Sequence, residues 1–332
     1  MDQNFQLSCL SQYGVTKLEL GSYLNIATPT LQSMFKIDLH LQIYWTYSNQ
    51  MIRQMIVGKF IIIANYYELN KVKEILDCRV TYRGMTELYK VQQIISQKQS
   101  VCVVKNKISG NTYVCKTYRK NNKNIRKALS EIQMLMKLIG QRNIVYLHEI
   151  YESQGNLYLI MEKLDHQLFD DYYHEEIQLI AYQLIILLSE FQKLNIAHHN
   201  LTQKHIMFDE NNNIKLISFG KTSSIKEKPD FFFDMYQTGE ILLELYCINK
   251  DQLFSKSTYL PDHAVNFIKG LLNLTEYRLN INLAQTHPYF KSLNGESQLV
   301  KIRSLLPKRN LSDLKKNKKQ QDTDQDQLTI QI

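Results

Sequence analysis

One stretch constrains the chain more than any other. It is Ile196-Ala197-His198-His199-Asn200-Leu201-Thr202-Gln203-Lys204-His205-Ile206-Met207, followed by Ile214-Lys215-Leu216-Ile217-Ser218-Phe219-Gly220. The apolar-rich run 177–194 precedes it and is long enough for a helix, with Leu179, Gln183, Ile186 and Glu190 marking a partly polar outer face. Two short apolar runs, Ile206–Phe208 and 214–217, flank Asn211-Asn212-Asn213. Asparagine tolerates the left-handed backbone of a tight turn, so these runs read as a hairpin. The order is helix, polar loop, hairpin, second loop.

The 332 residues and a hydrophobic fraction of 44% allow a sizeable core, in one large domain or two smaller ones. The formal charge of +8 is spread along the sequence, with Lys315, Lys316, Lys318 and Lys319 in a polar tail. No nucleic-acid readout motif accompanies it, so nucleic acid is not an expected partner. Five scattered cysteines without a Cys-x-x-Cys pair read as reduced thiols of an intracellular, cytoplasmic protein, not as a disulfide framework or a zinc site. The apolar run 60–64 is too short to span a bilayer, and the first residues lack the basic start of a secretory signal.

The loop-and-hairpin stretch resembles the catalytic core of the eukaryotic protein kinases, whose pattern is His-Arg-Asp-Leu-Lys-x-x-Asn and then Asp-Phe-Gly. Other matches follow in order over 89–290. Tyr113-Val114-Cys115-Lys116 resembles the Val-Ala-Ile-Lys strand, and Glu131 falls where a helix acid pairs with that lysine. Ile125, Leu129, Ile132, Leu135 and Met136 mark the buried face of that helix. Segments 143–145 and 155–162 match the strands that lead to the hinge, 162–164, with Met161 at the gatekeeper position and Glu162 beginning the hinge. Asp234-Met235-Tyr236-Gln237-Thr238-Gly239 resembles the Asp-x-Trp-x-x-Gly start of the central helix, and His287-Pro288-Tyr289-Phe290 lies near the domain end.

The resemblance implies an α+β, two-lobed protein-kinase fold with a small β-rich lobe and a large helical lobe. It also shows what has been replaced. The catalytic aspartate position holds Asn200, the loop lysine Thr202, the metal-binding asparagine His205 and the Asp of Asp-Phe-Gly Ser218. The three positions of the glycine-rich loop hold Ile94, Ser96 and Gln99, and His199 replaces the arginine before the catalytic position. An amide cannot serve as a carboxylate base. Imidazole is a poor ligand for magnesium, which prefers oxygen. Only 221–233 separates Gly220 from Asp234, too little for an activation loop, a docking loop and Ala-Pro-Glu, so Arg278 lacks its family partner. The framework role of Asp234, accepting backbone N–H bonds from the catalytic loop, is kept.

These features imply a catalytically impaired pseudokinase that scaffolds or allosterically regulates a protein partner, such as an active kinase. No cofactor is required. Lys116, Glu131, Met161 and Glu162 would hold ATP weakly, without magnesium or any other metal. The alternative is a divergent serine/threonine kinase with residual phosphotransfer, resting on Lys116 and Glu131. Residues 1–85 read as a small β-rich domain, with strands at 39–47, 55–57, 60–64 and 79–82, and resemble a pleckstrin-homology-type barrel. The segment 25–34 carries no Lys or Arg, so membrane lipid is not an expected partner. In 291–332, Leu299, Val300, Ile302, Leu305 and Leu306 read as a short helix before a polar tail.

Overall fold

The computed structural model describes residues 5–97, 100–168, 172–220, 223–224, 231–255, 259–274 and 279–293. The chain forms two compact units: one of residues 1–139 and 145–163, the other of 140–144 and 164–332. Among the described residues no helix is long and apolar enough to cross a membrane.

In the first unit, strict apolar alternation makes the strands. Leu7 and Cys9 of β1 (Phe5–Ser11), Leu18 and Leu20 of β2 (Gly14–Leu20), and Leu24 and Ile26 of β3 (Tyr23–Ala27) all point inward. Then come β4 (Gln32–Lys36), β5 (Gln42–Ser48), β6 (Met51–Val57) and β7 (Phe60–Ile63). Helix α1 (Tyr66–Leu76) starts at Asn65, whose side chain accepts the Glu68 N–H, and buries Leu69, Val72 and Leu76. After β8 (Thr81–Tyr82) and the one-turn α2 (Met85–Leu88) come β9 (Tyr89–Ser96), β10 (Val101–Asn106), β11 (Thr112–Arg119), α3 (Asn122–Lys137), β12 (Leu147–Glu152) and β13 (Asn156–Glu162).

All thirteen strands belong to one sheet, ordered β4-β3-β2-β1-β7-β6-β5-β8-β12-β13-β11-β10-β9. The two-residue strand β8 joins its halves, pairing in parallel with β5 on one side and with β12 on the other. The strands before residue 89 and those after it thus share one hydrogen-bonded surface and one core, which runs from Leu7 to Ile160.

Several expected elements are corrected. Strands β1 to β4 and helix α1 were not anticipated, and the strand expected at 79–82 is confined to Thr81–Tyr82. Residues 143–145 are not a strand; Ile144 makes a single bridge to Leu216, and the strand is β12. In α3 the buried side chains are Ala128, Glu131, Ile132, Met134 and Leu135, whereas Ile125, Leu129 and Met136 are only half-buried. The face is rotated because Glu131 itself turns inward.

The second unit is mainly helical. β14 (His166–Gln167) precedes α4 (His174–Lys193), and β15 (Ile196–Ala197), β16 (Ile206–Phe208), β17 (Ile214–Leu216) and β18 (Ser223–Ser224) follow. α5 (Phe231–Leu245), α6 (Lys250–Phe254), α7 (Asp262–Leu271) and α8 (Ile281–Gln285) complete it. The outer face expected on α4 is not polar surface: Leu179 and Gln183 are buried, and Ile186 and Glu190 are half-buried. Gln183 is inside because its Oε1 accepts the Ile214 N–H at 3.0 Å. Gln178 likewise bonds the Tyr289 carbonyl at 2.7 Å. For the Gln183 oxygen and the Gln178 amide nitrogen these bonds avoid the cost of an unmade hydrogen bond. Gln99, Arg278, the helix expected at 299–306 and the tail lie outside the described residues.

Candidate functional site

Each unit contributes one group of the expected residues. In the first unit, β11 presents Lys116 and α3 presents Glu131. Lys116 Nζ lies 2.8 Å from Glu131 Oε1 and 2.7 Å from Oε2. The lysine also sits over the Tyr118 ring, 5.3 Å from its centre, while the Tyr118 hydroxyl donates to Glu131. Burial and the Glu131 charge push the Tyr118 phenol up, so it stays a donor. With Glu131 at 1% exposure, this acid is held by two donors in a low-dielectric setting. The role of Tyr118 was missed in the sequence, although its place two residues after Lys116 puts it on the same face of the strand. Met161 is buried on β13 opposite Val114, and the Glu162 carboxylate accepts the Tyr146 N–H at 2.6 Å. Ile94, in contrast, is 60% exposed on β9.

In the second unit the polar loop hangs from one carboxylate. Asp234, 2% exposed on α5, accepts the His198 N–H at 2.6 Å and the His199 N–H at 2.8 Å. One turn on, Gln237 Oε1 accepts the Leu201 N–H at 2.9 Å. The loop is therefore fixed at three successive points, one of them by a glutamine to which the sequence reading gave no role. His199 is held at φ +56° and Ser218 at φ +73°. Non-glycine residues in that region cost about 1–3 kcal/mol each and persist only where surrounding structure determines them.

Asn200, Thr202 and His205 are brought together. His205 Nδ1 lies 2.7 Å from the Asn200 carbonyl oxygen, 3.1 Å from Thr202 Oγ1 and 3.3 Å from Asn200 Nδ2. A carbonyl only accepts, so Nδ1 carries a proton. His198 is fully buried, edge-on to Phe219 at 5.2 Å. Burial, aided by the nearby His205, holds its imidazole down to about 3 against the favourable backbone of Ile217 and Ser218. It is a neutral structural ring at ordinary pH. Among the described residues no group of three His, Cys, Asp or Glu is arranged to hold a metal ion.

Residues 90–241 match the family model of the protein kinase domain. This segment is similar to the protein kinase domain. Relatives of the kinase domain include the hormonally up-regulated neu tumor-associated kinase homolog A of Xenopus laevis, 30% identical over 135 residues. That match covers 38% of this chain and 18% of the Xenopus protein. The human hormonally up-regulated neu tumor-associated kinase is 28% identical over 135 residues, covering 38% of this chain and 17% of the relative. The chain thus spans less than a fifth of the length of these relatives.

Within the kinase domain, the division between the two units falls between Lys163 and Leu164, inside the expected hinge segment. Among the described residues helix α5 already includes Phe231, three residues ahead of Asp234.

The state of His198 has a measurable consequence. Below its unfolded value of 6.5 the unfolded chain takes up a proton that the folded ring refuses until about pH 3. Stability therefore falls as pH drops through this window, by about 1.4 kcal/mol per pH unit. Burial lowers His148, His166, His174 and His287 as well, which adds to the trend. Urea unfolding of the parent and of His198→Leu at pH 7 and pH 5 isolates this ring. The parent is expected to lose roughly 2 kcal/mol more than the variant; equal losses would assign the pH dependence to the other histidines.

Proposed function

We propose that this chain is a pseudokinase: a two-lobed kinase fold that acts by binding a protein partner, not by phosphoryl transfer. One observation carries the reading. The loop is held by Asp234 as a framework, while the reactive positions on and beside it are occupied by Asn200, Thr202, His205 and Ser218, none of them a carboxylate or a lysine. Phosphoryl transfer relies on positioning and on cancelling charge at the transferring group. A single oxyanion-type donor is worth about 2.7–4 kcal/mol, and here the base, both metal ligands and the loop lysine are replaced. Losses of this kind are not additive, but together they leave no route to a useful rate.

A partner protein, such as an active kinase positioned allosterically, fits a fold that keeps its framework without its chemistry. The strand order of residues 5–63 followed by one helix suits a pleckstrin-homology-type unit, here in a packing role and not as a lipid site. A cytoplasmic location and no nucleic-acid partner complete the proposal.

The Lys116–Glu131 pair favours a second reading. It is a fully bonded part of the nucleotide machinery, and it would suit a divergent serine/threonine kinase with residual transfer. Thermal unfolding of the purified chain with millimolar ATP, with and without magnesium, separates the two. A ligand that binds only the folded state raises the midpoint. The expected result is a midpoint that magnesium does not raise, and no phosphate transfer to a generic protein substrate. A magnesium-dependent rise together with transfer that Lys116→Ala abolishes would establish the kinase instead.

A further inference from the structure

Cys102 on β10 and Cys115 on β11 stand directly opposite each other across an antiparallel pair. The type of pair follows from its neighbours. Thr117 N donates to the Ser100 carbonyl at 2.9 Å, and Asn106 N donates to the Asn111 carbonyl at 2.9 Å. Counting in twos from either end makes Cys102 and Cys115 a hydrogen-bonded pair as well, with Cα atoms roughly 5.5 Å apart. That lies within the roughly 4.4–6.8 Å that a disulfide spans. Both side chains point to the same face of the sheet. Both are free thiols, Cys115 buried and Cys102 half-buried.

The other cysteines of this unit differ. Cys9 faces Thr16 across its strand pair, and burial pushes its thiol up to about 11. Burial pushes Cys78 up to about 12, and its thiol donates to the Leu147 carbonyl at 2.9 Å. The Cys102–Cys115 pair lies on the face of β11 opposite to Lys116, because successive side chains alternate. It is thus outside the site described above, but on the strand that carries it.

We propose that Cys102 and Cys115 form a peroxide-responsive pair, closed by hydrogen peroxide into an intrachain disulfide between β10 and β11. The Cys102 thiolate attacks one peroxide oxygen. An S–O bond forms, the O–O bond breaks, and the departing hydroxide leaves as water with one proton. Cys115 sulfur then attacks the Cys102 sulfenic sulfur. The S–S bond forms, the S–O bond breaks, and the hydroxide departs as a second water with the Cys115 proton. Two thiols lose two electrons and peroxide gains them. The neighbouring Cys115 lowers the Cys102 thiol to about 7, which supports Cys102 as the attacking sulfur.

The test uses the full chain at pH 7, treated with limiting hydrogen peroxide, alkylated and digested without reductant. The expected product is a single linked pair of peptides carrying Cys102 and Cys115, released by a dithiol. In Cys115→Ala the Cys102 sulfenic acid should persist and be trapped by dimedone. Without Cys115 the Cys102 thiol rises and less of it is thiolate at pH 7, so Cys102 should react more slowly. In Cys102→Ala, Cys115 should remain unoxidised. Full alkylation of Cys102 and Cys115 after peroxide overturns the proposal. So does a disulfide that joins either of them to Cys247 or to a second chain.

Discussion

Replacing Lys73 by methionine is expected to destabilise the chain by about 3–5 kcal/mol, because it leaves the buried Glu149 and the half-buried Asp77 without their cation. Lys73 on α1 lies 2.8 Å from Asp77 Oδ1 and makes a close ion pair with Glu149 on β12. Its ammonium stands over the Tyr82 ring at 4.9 Å. Three phenols complete the cluster. Tyr89 and Tyr151 donate to Glu149 at 2.6 and 3.1 Å, and Tyr82 donates to Asp77 at 2.7 Å.

Burial works against the charge on Lys73, but Glu149 and Asp77 outweigh it and hold the ammonium well above its ordinary value. Burial also opposes the Glu149 charge, and Lys73 with its hydrogen bonds reverses that, holding Glu149 below the usual carboxylate range. Asp77 goes the other way: burial prevails and raises it. The lysine is thus committed mainly to Glu149. Without it, burial acts on Glu149 with only the two phenols in opposition, and its carboxyl rises. A carboxyl raised by folding favours the folded state most at low pH, so the deficit of Lys73→Met should narrow as pH falls from 7 toward 4.5. Urea unfolding at both pH values measures this. Lys120→Met, which breaks the more exposed pair with Glu152, is the comparison and should cost less than about 1 kcal/mol. Equal costs for the two variants would show that the buried cluster adds nothing beyond an ordinary ion pair.

That cluster was invisible in the sequence, for a physical reason. Lys73, Asp77 and Glu149 look like solvated charges until a helix near residue 70 and a strand near residue 150 are placed side by side. Helix α1 itself was legible. Asn65 followed by Glu68, with Leu69, Val72 and Leu76 at helical steps, is an N-cap signature before a buried face. The alternation in β1 to β3 was legible too, since Leu7 and Cys9, Leu18 and Leu20, and Leu24 and Ile26 recur at period two.

The site residues were easier, because kinase-like spacing orders them along the chain without reference to distant contacts. Lys116 with Glu131, and Asp234 with the loop at His198 and His199, meet as that spacing implies. Tyr118 and Gln237 escaped notice because they act through a neighbour's bonding and match no motif letter. The α4 face was misjudged for a related reason. A glutamine reads as surface unless its partner is known, and the partner of Gln183 is a backbone N–H on β17.

The same distinction between framework and chemistry sets the second large effect. Asp234→Ala is expected to cost about 3–6 kcal/mol, the sum of two charge-assisted backbone hydrogen bonds at roughly 1.5–3 kcal/mol each. It also frees His199 to leave its left-handed conformation, so the loop should open locally before the unit unfolds. Asp234→Asn keeps the size but offers one accepting oxygen and turns an NH2 toward the second N–H, so its cost should approach that of alanine. Hydrogen exchange at the His198 and His199 amides reads the loop directly, and thermal unfolding reads the whole. Thr202→Ala, at a position where the active family has a reactive group, should change stability by less than about 1 kcal/mol. A loop that keeps its amide protection in Asp234→Ala would mean that Gln237 and the flanking strands hold it unaided. The carboxylate would then be a remnant of lost chemistry and not the anchor of a fold kept for binding.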